Sequence, residues 1–205
     1  MKPSFYRFFL KRLLDIFFSF IGIIVLLPFL FVVSIFNLIF LGWPIFFFQK
    51  RIGYKNKSFT LVKFRSMKKT KSGKDNSDEK RLSKYGMFLR KCSIDELPEL
   101  FNILIGQMSF IGPRPLLVEY LPLYNERQIH RHDAKPGLTG LAQIHGRNMI
   151  TWQGKFEYDV KYTEQISFTL DCKIFFKTIG LVFSRKGINQ ENSASAKKFT
   201  GNPKE

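Results

Sequence analysis

The chain lacks any charged residue between Asp15 and Lys50, a stretch that is rich in Phe, Ile and Leu. A membrane-spanning helix needs about 20 apolar residues, and two spans with a turn need more than about 40. The stretch is therefore too long for a tidy single span and too short for two. Its length and the lack of a small-residue cleavage site argue against a cleaved signal peptide.

Acidic residues and cysteines are also scarce. The chain has 16 Asp and Glu against 33 Lys and Arg, which gives a formal charge of +17. Such a charge suits nucleic acid, anionic lipid headgroups or phosphorylated small molecules. The 24 phenylalanines concentrate near the N-terminus, which favours lipid over nucleic acid. Cys92 and Cys172 are far apart and have no metal-ligand spacing, so a reduced cytosolic environment is expected.

Pro28 lies in the middle of the uncharged stretch, where it removes a backbone donor and kinks a helix. Basic residues flank the stretch on both sides, and such residues keep a loop in the cytoplasm. They are Lys2, Arg7, Lys11 and Arg12 before it, and Lys50, Arg51, Lys55 and Lys57 after it. The pattern predicts a re-entrant helix-break-helix element over residues 1–44 with both ends on the cytoplasmic face. A single-pass anchor with a tilted helix is the alternative.

The remainder predicts a small, mainly helical α+β domain over residues 45–186, which is long enough to bury a core. Two short strands are expected within residues 45–67, joined by a turn at residues 53–56. Helices are expected at residues 81–91, from about Asp95 to Ile105, and at 168–183. Gly137, Gly140 and Gly146 indicate a loop-rich stretch.

The helix over residues 168–183 is amphipathic, so it suits either the lipid headgroup plane or a soluble core. The two alternatives are equally compatible with its periodicity. Residues 187–205 are polar and predict a disordered tail.

Asp95-Glu96 is a candidate catalytic pair with a structural alternative. Ser93-Ile-Asp-Glu96 fits a capping box, in which Ser93 is the N-cap and Glu96 reaches back to it. The helix dipole would stabilise acidic residues in such a first turn and keep Asp95 ionised. An ionised carboxylate is what a metal ligand or a carboxylate nucleophile requires.

Arg114 lies between two prolines in Gly112-Pro113-Arg114-Pro115. The prolines limit backbone freedom, so the arginine loses less entropy when it binds a ligand, and its planar fork matches phosphate oxygens. A rigid turn with a solvated arginine is the alternative. Gly146-Arg147-Asn148 resembles a polar ligand loop, whereas His130 and His132 lack the further ligands that a metal site needs.

Taken together, the motifs resemble those of the small monotopic phosphoglycosyl transferases, a family of bacterial sugar transferases, from Lys11 to about residue 190. The motifs that carry the resemblance, in chain order, are Lys11-Arg-Leu-Leu-Asp15, Pro28, Gln49-Lys-Arg-Ile-Gly53, Lys63-Phe-Arg-Ser-Met67, Asp95-Glu-Leu-Pro98, Phe101-Asn102, Met108-Ser-Phe-Ile-Gly-Pro-Arg-Pro115, Lys135-Pro-Gly-Leu-Thr-Gly140, Gly146-Arg-Asn148 and Phe156-Glu-Tyr-Asp159.

The resemblance implies transfer of a sugar-1-phosphate from a UDP-sugar to undecaprenyl phosphate, with release of UMP. It implies that Asp95 forms a covalent phosphosugar intermediate and holds Mg²⁺, and that Glu96 assists the polyprenyl phosphate. Arg90 and Arg114 match phosphate-binding positions. Lys63 and Asp159 match positions near the site. Lys63 is expected to bind phosphate as well, and Asp159, Arg147 and Asn148 are expected to contact substrate.

The family further implies a location on the cytoplasmic face of a bacterial inner membrane, with membrane lipid and no nucleic acid as partner. The similarity is greatest to enzymes that use UDP-N,N'-diacetylbacillosamine in glycoprotein pathways, although UDP-GlcNAc, UDP-galactose or another acetamido sugar would also serve. One departure is Leu27, where many members have Ser before the helix-breaking Pro28. A competing class is a non-enzymatic basic membrane adaptor for anionic lipid or nucleic acid, which leaves Asp95-Glu96 unexplained.

Overall fold

A computed structural model describes residues 5–69, 81–146, 150–184 and 198–202. Within these ranges the chain is mostly helical and carries two small two-stranded sheets, as the α+β prediction requires. Arg147 and Asn148, which were expected to contact substrate, lie outside the described residues.

A π-helical turn, Tyr6–Leu10, leads directly into helix α1, Lys11–Leu41. By length and composition alone, the combined helix Tyr6–Leu41 is apolar enough to cross a membrane. Pro28 lies inside α1 and helical structure continues on both sides of it. The predicted break is therefore not an interruption of the helix, because proline removes only one backbone donor.

One stripe of α1 is buried against the rest of the domain, and the opposite side exposes large apolar side chains. The stripe begins at Asp15, whose carboxylate accepts from Ser109 Oγ and the Phe110 N–H. It ends at Asn37, whose Nδ2 donates to the carbonyl oxygens of Ile45 and Arg65. The helix is thus attached to the same domain near both of its ends.

The predicted hairpin is confirmed as strands β1, Phe46–Ile52, and β2, Ser58–Phe64, which pair antiparallel from Phe46–Phe64 to Ile52–Ser58. A short 3₁₀ turn, Tyr54–Asn56, joins them. Phe59, Leu61 and Phe64 on β2 face the core. The alternating apolar pattern predicted this element because one face of the hairpin is buried.

Helix α2 covers Lys84–Lys91, three residues later than the predicted start. It begins there because Leu82 pairs with Met67 in an isolated bridge and the Ser83 Oγ caps the helix by accepting from the Gly86 N–H. Leu89 is buried and Phe88 is exposed. The second predicted helix is also interrupted, into a 3₁₀ turn at Ile94–Glu96 and helix α3 at Glu99–Leu104.

The glycine-rich stretch was predicted as loop, but this is wrong for its first half. Strand β4, Gly137–Thr139, pairs in parallel with β3, Ser109–Ile111, and a short helix α4, Leu141–Ile144, follows. Strands of three residues carry too few positions for an alternating pattern. Helix α5, Trp152–Glu164, then leads to α6, Phe168–Ser184.

Helix α6 packs Ile174 in the core, while Phe168, Phe175, Phe176 and Ile179 remain exposed on its other side. The helix therefore packs on the core through one side and exposes an apolar surface on the other. The tail prediction is wrong for residues 198–202, since Phe199 is 4% exposed within a cluster that includes Tyr120 and Phe156. A single aromatic residue in a polar tail supplied enough apolar surface to dock it.

Candidate active site

Asp95 and Glu96 lie in the 3₁₀ turn Ile94–Glu96, between α2 and α3. Ser93 has a left-handed backbone conformation (φ 54°) and its side chain caps nothing in that turn. The capping-box alternative is therefore wrong. The helix dipole that was expected to keep Asp95 ionised is also weak here, because a single 3₁₀ turn carries little macrodipole.

The Glu96 carboxylate is held between two cations. Its Oε1 lies 2.6 Å from Lys63 Nζ and 2.8 Å from the Arg114 guanidinium. Burial raises the pKa of Glu96, but the nearby Arg114 and Lys63 outweigh that effect and hold the pKa well below its usual range. Glu96 is thus a fixed anion, and Arg114, which is half-exposed, has its pKa raised by Glu96.

Lys63 is shared with a third carboxylate that the sequence did not single out. Its Nζ lies 3.0 Å from Glu99 Oε1, and the Glu99 side chain is buried. Burial raises the pKa of Glu99 to about 7; Glu96 also raises it, while Lys63 opposes the shift. The signal for Glu99 was present in the sequence, since it follows Asp95 by one helical turn.

Asp95 has a different environment from Glu96. Within the described ranges, no side-chain hydrogen bond or ion pair engages its carboxylate, although the residue is 8% exposed. Burial and then Glu96 raise its pKa, whereas Lys63, Arg90 and Arg114 lower it. Glu96 and Glu99 are therefore held by ion pairs, whereas Asp95 is left available among three cations.

Arg90 approaches the pair from α2. Its Nε donates to Ser66 Oγ at 2.9 Å, which fixes the guanidinium beside the end of β2. Lys63, Arg90 and Arg114, the three predicted phosphate-binding residues, are therefore brought together around Asp95 and Glu96. These three cations can form charge-assisted hydrogen bonds with a substrate that carries several negative charges.

Close backbone contacts fix the segment that carries Arg114. A Cβ atom on Gly112 would lie 2.2 Å from the Lys135 carbonyl oxygen, and one on Gly137 would lie 2.1 Å from the Gly112 nitrogen. The Gly137 N–H also donates to the Pro113 carbonyl at 2.9 Å. Glycines allow this approach because a side chain at either position would collide with backbone.

Asp159 is not among the groups that surround Asp95. It forms a buried ion pair with Arg131, with Nη2 to Oδ2 at 2.7 Å. The same Arg131 Nη2 donates to the main-chain carbonyl of Arg114 at 2.8 Å. Asp159 is therefore connected to the site through Arg131 and the Arg114 backbone, and its expected contact with substrate stays a prediction.

Arg51, on β1, is a further cation near the site that sequence analysis did not assign. Its guanidinium donates to Gln49 Oε1 at 2.6 Å and to the Pro115 carbonyl at 3.4 Å. Burial, and then repulsion from Arg114, lower the pKa of Arg51 to about 10. The sequence pattern assigned Lys50-Arg51 to the basic flank of the membrane element, and so gave no reason to expect Arg51 near the site.

The described residues contain no group of three or more His, Cys, Asp or Glu side chains placed to share a metal ion. His130 pairs with Asp133 at 2.8 Å, and burial lowers the pKa of His132 to about 3.

Comparison with known proteins assigns the family. Residues 6–185 match the model of the bacterial sugar transferase family. The chain is 53% identical to a Bacillus subtilis protein named uncharacterized sugar transferase EpsL, over 78% of this chain and 81% of that protein. It is 37% identical to the Klebsiella pneumoniae UDP-glucose:undecaprenyl-phosphate glucose-1-phosphate transferase, over 86% of this chain.

A third relative is the Erwinia amylovora UDP-galactose-lipid carrier transferase, which is 35% identical over 87% of this chain. The chain spans 40% of the Klebsiella protein and 41% of the Erwinia protein. The family model covers most of this chain and the relatives are similar over nearly the same length. The chain is therefore an enzyme of the bacterial sugar transferase family.

Proposed function

We propose that this enzyme transfers a sugar-1-phosphate from a UDP-sugar to undecaprenyl phosphate through a covalent intermediate on Asp95. The observation that carries the proposal is the available Asp95 carboxylate, surrounded by Lys63, Arg90 and Arg114, next to a Glu96 that is already paired. The substrates named for the Klebsiella and Erwinia relatives support the same reaction class.

The reaction takes two displacements at phosphorus. An Asp95 oxygen attacks the β-phosphorus of the UDP-sugar, the bond to the bridging oxygen breaks, and UMP leaves with that electron pair. An oxygen of undecaprenyl phosphate then attacks the phosphosugar, which releases Asp95 and forms the lipid diphosphate sugar. Because both substrates are anionic, the covalent step lets each react separately beside the cations.

Glu96 fits a positioning role better than a role in proton transfer. Its pKa lies well below the usual range because Arg114 and Lys63 compensate its charge. A phosphate that enters the site would compete with Glu96 for these two cations. Glu96 thus holds Lys63 and Arg114 in place before the phosphate binds.

The residues present fit Mg²⁺ in one particular way. Mg²⁺ is commonly held by one or two carboxylates together with substrate phosphates and water. Asp95 offers one carboxylate without a side-chain partner among the described residues, and the diphosphate of the donor would supply the other ligands. Bound there, Mg²⁺ would offset the charge of the diphosphate.

We place both ends of α1 on the cytoplasmic face of the inner membrane, so that the helix is re-entrant. Arg12 donates to the carbonyls of Ile103 and Leu104, and Asn37 donates to the carbonyls of Ile45 and Arg65. These residues would be about 38 Å apart in a straight helix. Their attachment to one domain supports this topology, since a spanning helix would carry one end away from it.

A Pro3→Cys variant in a Cys92→Ser, Cys172→Ser background tests the topology. An impermeant thiol reagent should label residue 3 only from the cytoplasmic side. Labelling from the periplasm would mean that the helix spans the membrane.

The sugar is the least constrained part of the proposal. An acetamido sugar such as N,N'-diacetylbacillosamine follows from the sequence resemblance, and a role in glycoprotein assembly would accompany it. Glucose and galactose appear in the names of the relatives. UMP release from a panel of UDP-sugars, with undecaprenyl phosphate and Mg²⁺, distinguishes these donors.

A trapping experiment tests the covalent step. With donor labelled in the β-phosphate and no acceptor, wild-type protein should retain label and release a stoichiometric amount of UMP, whereas Asp95→Asn should do neither. An active Asp95→Asn enzyme would refute the nucleophile. Failure of every donor to release UMP would instead favour a non-enzymatic membrane adaptor.

A further inference from the structure

The Phe199 ring lies between four other aromatic rings, and we call the five side chains together the aromatic cluster. Its ring centroid lies 5.0 Å from Phe156, 5.6 Å from Trp152, 5.8 Å from Tyr120 and 6.2 Å from Tyr124. Two of these contacts are edge-on, an arrangement that aromatic pairs favour. Phe199 is therefore an integral part of this cluster.

Hydrogen bonds attach the same segment, residues 198–202, at its two ends. The Phe199 N–H donates to Tyr120 Oη at 3.3 Å. Asn202 accepts from Gln128 Nε2 at 2.6 Å and donates to the Leu123 carbonyl at 3.1 Å. This C-terminal segment is thus held by one buried ring and a polar anchor three residues later.

The aromatic cluster also surrounds Arg131. The rings of Tyr124 and Phe156 each lie 5.8 Å from the Arg131 guanidinium carbon. Arg131 is 1% exposed, so its orientation is fixed by these rings and by the ion pair with Asp159. Phe199 packs against both rings and completes their support.

Arg131 in turn holds the backbone of Arg114 through the bond to its carbonyl oxygen. Leu116 and Leu117, which follow Arg114 and Pro115, pack against the cluster of Tyr120, Phe156 and Phe199. The segment that carries Arg114 is therefore connected to the C-terminal segment by a hydrogen bond on one side and by apolar packing on the other.

We propose that the C-terminal segment 198–202 positions Arg114 for the donor diphosphate, by completing the aromatic cluster that orients Arg131. The inference rests on the proposed function in taking Arg114 as a phosphate-binding group. It adds a dependence of the active site on a docked tail of the chain. Phe199 acts through Arg131 and is a positioning residue.

Docking of the segment has a readout that does not require activity. The chain has only two tryptophans, Trp43 and Trp152, so a Trp43→Phe background isolates the fluorescence of Trp152. Deletion of residues 198–205 should shift this emission to longer wavelength, because the indole becomes hydrated. A synthetic peptide of residues 195–205 should restore the original emission in a saturable titration.

The functional consequence is read from UDP affinity and from donor kinetics. Phe199→Ala should raise the Kd for UDP with Mg²⁺ and the KM for the UDP-sugar by roughly 10- to 100-fold. Phe199→Leu should recover most of this loss, and Thr200→Ala, at an exposed neighbour, should match wild type. Partial unfolding alone would lower kcat in proportion to the folded fraction and leave KM unchanged.

A double-mutant cycle separates this role from a general effect on the fold. In an Arg114→Ala background, Phe199→Ala should produce no further change in the Kd for UDP, since its effect passes through Arg114. The proposal is overturned if the variant that lacks residues 198–205 keeps the wild-type Kd and KM without added peptide, while the fluorescence of Trp152 reports undocking. It is also overturned if Arg114→Ala and Phe199→Ala have additive effects on the Kd for UDP. Loss of activity that the peptide cannot restore, with a normal melting curve, also counts against it.

These outcomes are distinct from failure of the proposed function. A wild-type protein that releases no UMP from any UDP-sugar would refute the transferase reaction. An active wild type whose Phe199 variants keep wild-type kinetics would refute only the positioning role.

Discussion

Lys63 Nζ lies 2.6 Å from Glu96 Oε1, and the same ammonium group reaches Glu99 Oε1 at 3.0 Å. One cation therefore compensates two carboxylates that are largely removed from water. Removal of one partner from a buried ion pair leaves an uncompensated charge, which is more costly than the loss of an exposed pair.

Lys63→Met is accordingly expected to destabilise the fold by about 3 kcal/mol and to reduce activity strongly. The double variant Lys63→Met, Glu99→Gln should recover part of the stability, because one of the two buried charges is then also absent. Chemical denaturation in detergent measures both, with Lys50→Met on the exposed face of β1 as the control. Equal stability of the single and double variants would contradict the shared-cation arrangement.

The raised pKa of Glu99 predicts a pH dependence of stability. Its pKa is about 7 in the folded protein and 4.5 without the fold, so the folded state binds more protons between these values. The free energy of unfolding should therefore fall as pH rises from about 4.5 to 7. We expect the wild type to lose about 1–3 kcal/mol across this window relative to Glu99→Gln. Parallel stability profiles for the two proteins would contradict the shift.

The available carboxylate of Asp95 predicts a gain in stability on its removal. Burial raises its pKa, and no side chain in the described ranges forms a bond to it, so its charge is poorly compensated in the free enzyme. Asp95→Asn should raise the free energy of unfolding by about 1 kcal/mol while it abolishes phosphosugar transfer. Thermal unfolding of the two proteins measures this, and Glu96→Gln, which breaks two ion pairs, should instead destabilise.

The sequence predicted the elements whose pattern is local. The hairpin of β1 and β2 and the amphipathic helix α6 follow from alternation and helical spacing. The pairing of β3 with β4 could not be predicted, since it depends on backbone contacts between Gly112 and Gly137 that are distant in the chain.

The residues of the candidate site could likewise be identified where they belong to local motifs, but not where they depend on contacts between distant segments. Asp95, Glu96, Arg90, Arg114 and Lys63 were identified from motifs, and the structure brings them together. Arg131 was missed because a His-Arg-His run has the composition of a solvated basic surface. The rings that cover it come from two separate segments, at Tyr124 and Phe156, and Phe199 from a third segment packs on both rings.

The two ends of α1 allow a test of how the helix is fixed. Asn37 Nδ2 satisfies the carbonyls of Ile45 and Arg65, so Asn37→Leu, of similar volume, should cost about 1–3 kcal/mol. Ser34 Oγ only donates to the carbonyl of Leu30 within the helix, and Ser34→Ala should change stability by less than about 0.5 kcal/mol. Similar losses for both variants would mean that the tertiary bonds of Asn37 contribute nothing specific.

Arg12 provides the corresponding test at the N-terminal end. Its position in the sequence predicts a role in the basic flank that orients the helix in the membrane, but its guanidinium donates to the carbonyls of Ile103 and Leu104 at the end of α3. The Leu104 carbonyl belongs to the last turn of the helix, where carbonyls lack an intrahelical donor, whereas the Ile103 carbonyl also accepts from the Gly106 N–H at 3.0 Å. Arg12→Gln should therefore lower the free energy of unfolding by about 1–2 kcal/mol.

The orientation of the chain should survive this change, because the charge at Arg12 is committed to protein carbonyls. In the Arg12→Gln variant, thiol labelling of Pro3→Cys should still occur only from the cytoplasmic side. Lys50→Gln, which removes an exposed flanking charge, is the control for stability and should leave the free energy of unfolding unchanged. If Arg12→Gln left stability intact and moved residue 3 to the periplasm, the arginine would act on topology and the α3 contact would be incidental. Because Arg12 attaches α1 to α3, the helix that bears Glu99, we expect Arg12→Gln to lose stability and to keep residue 3 on the cytoplasmic side.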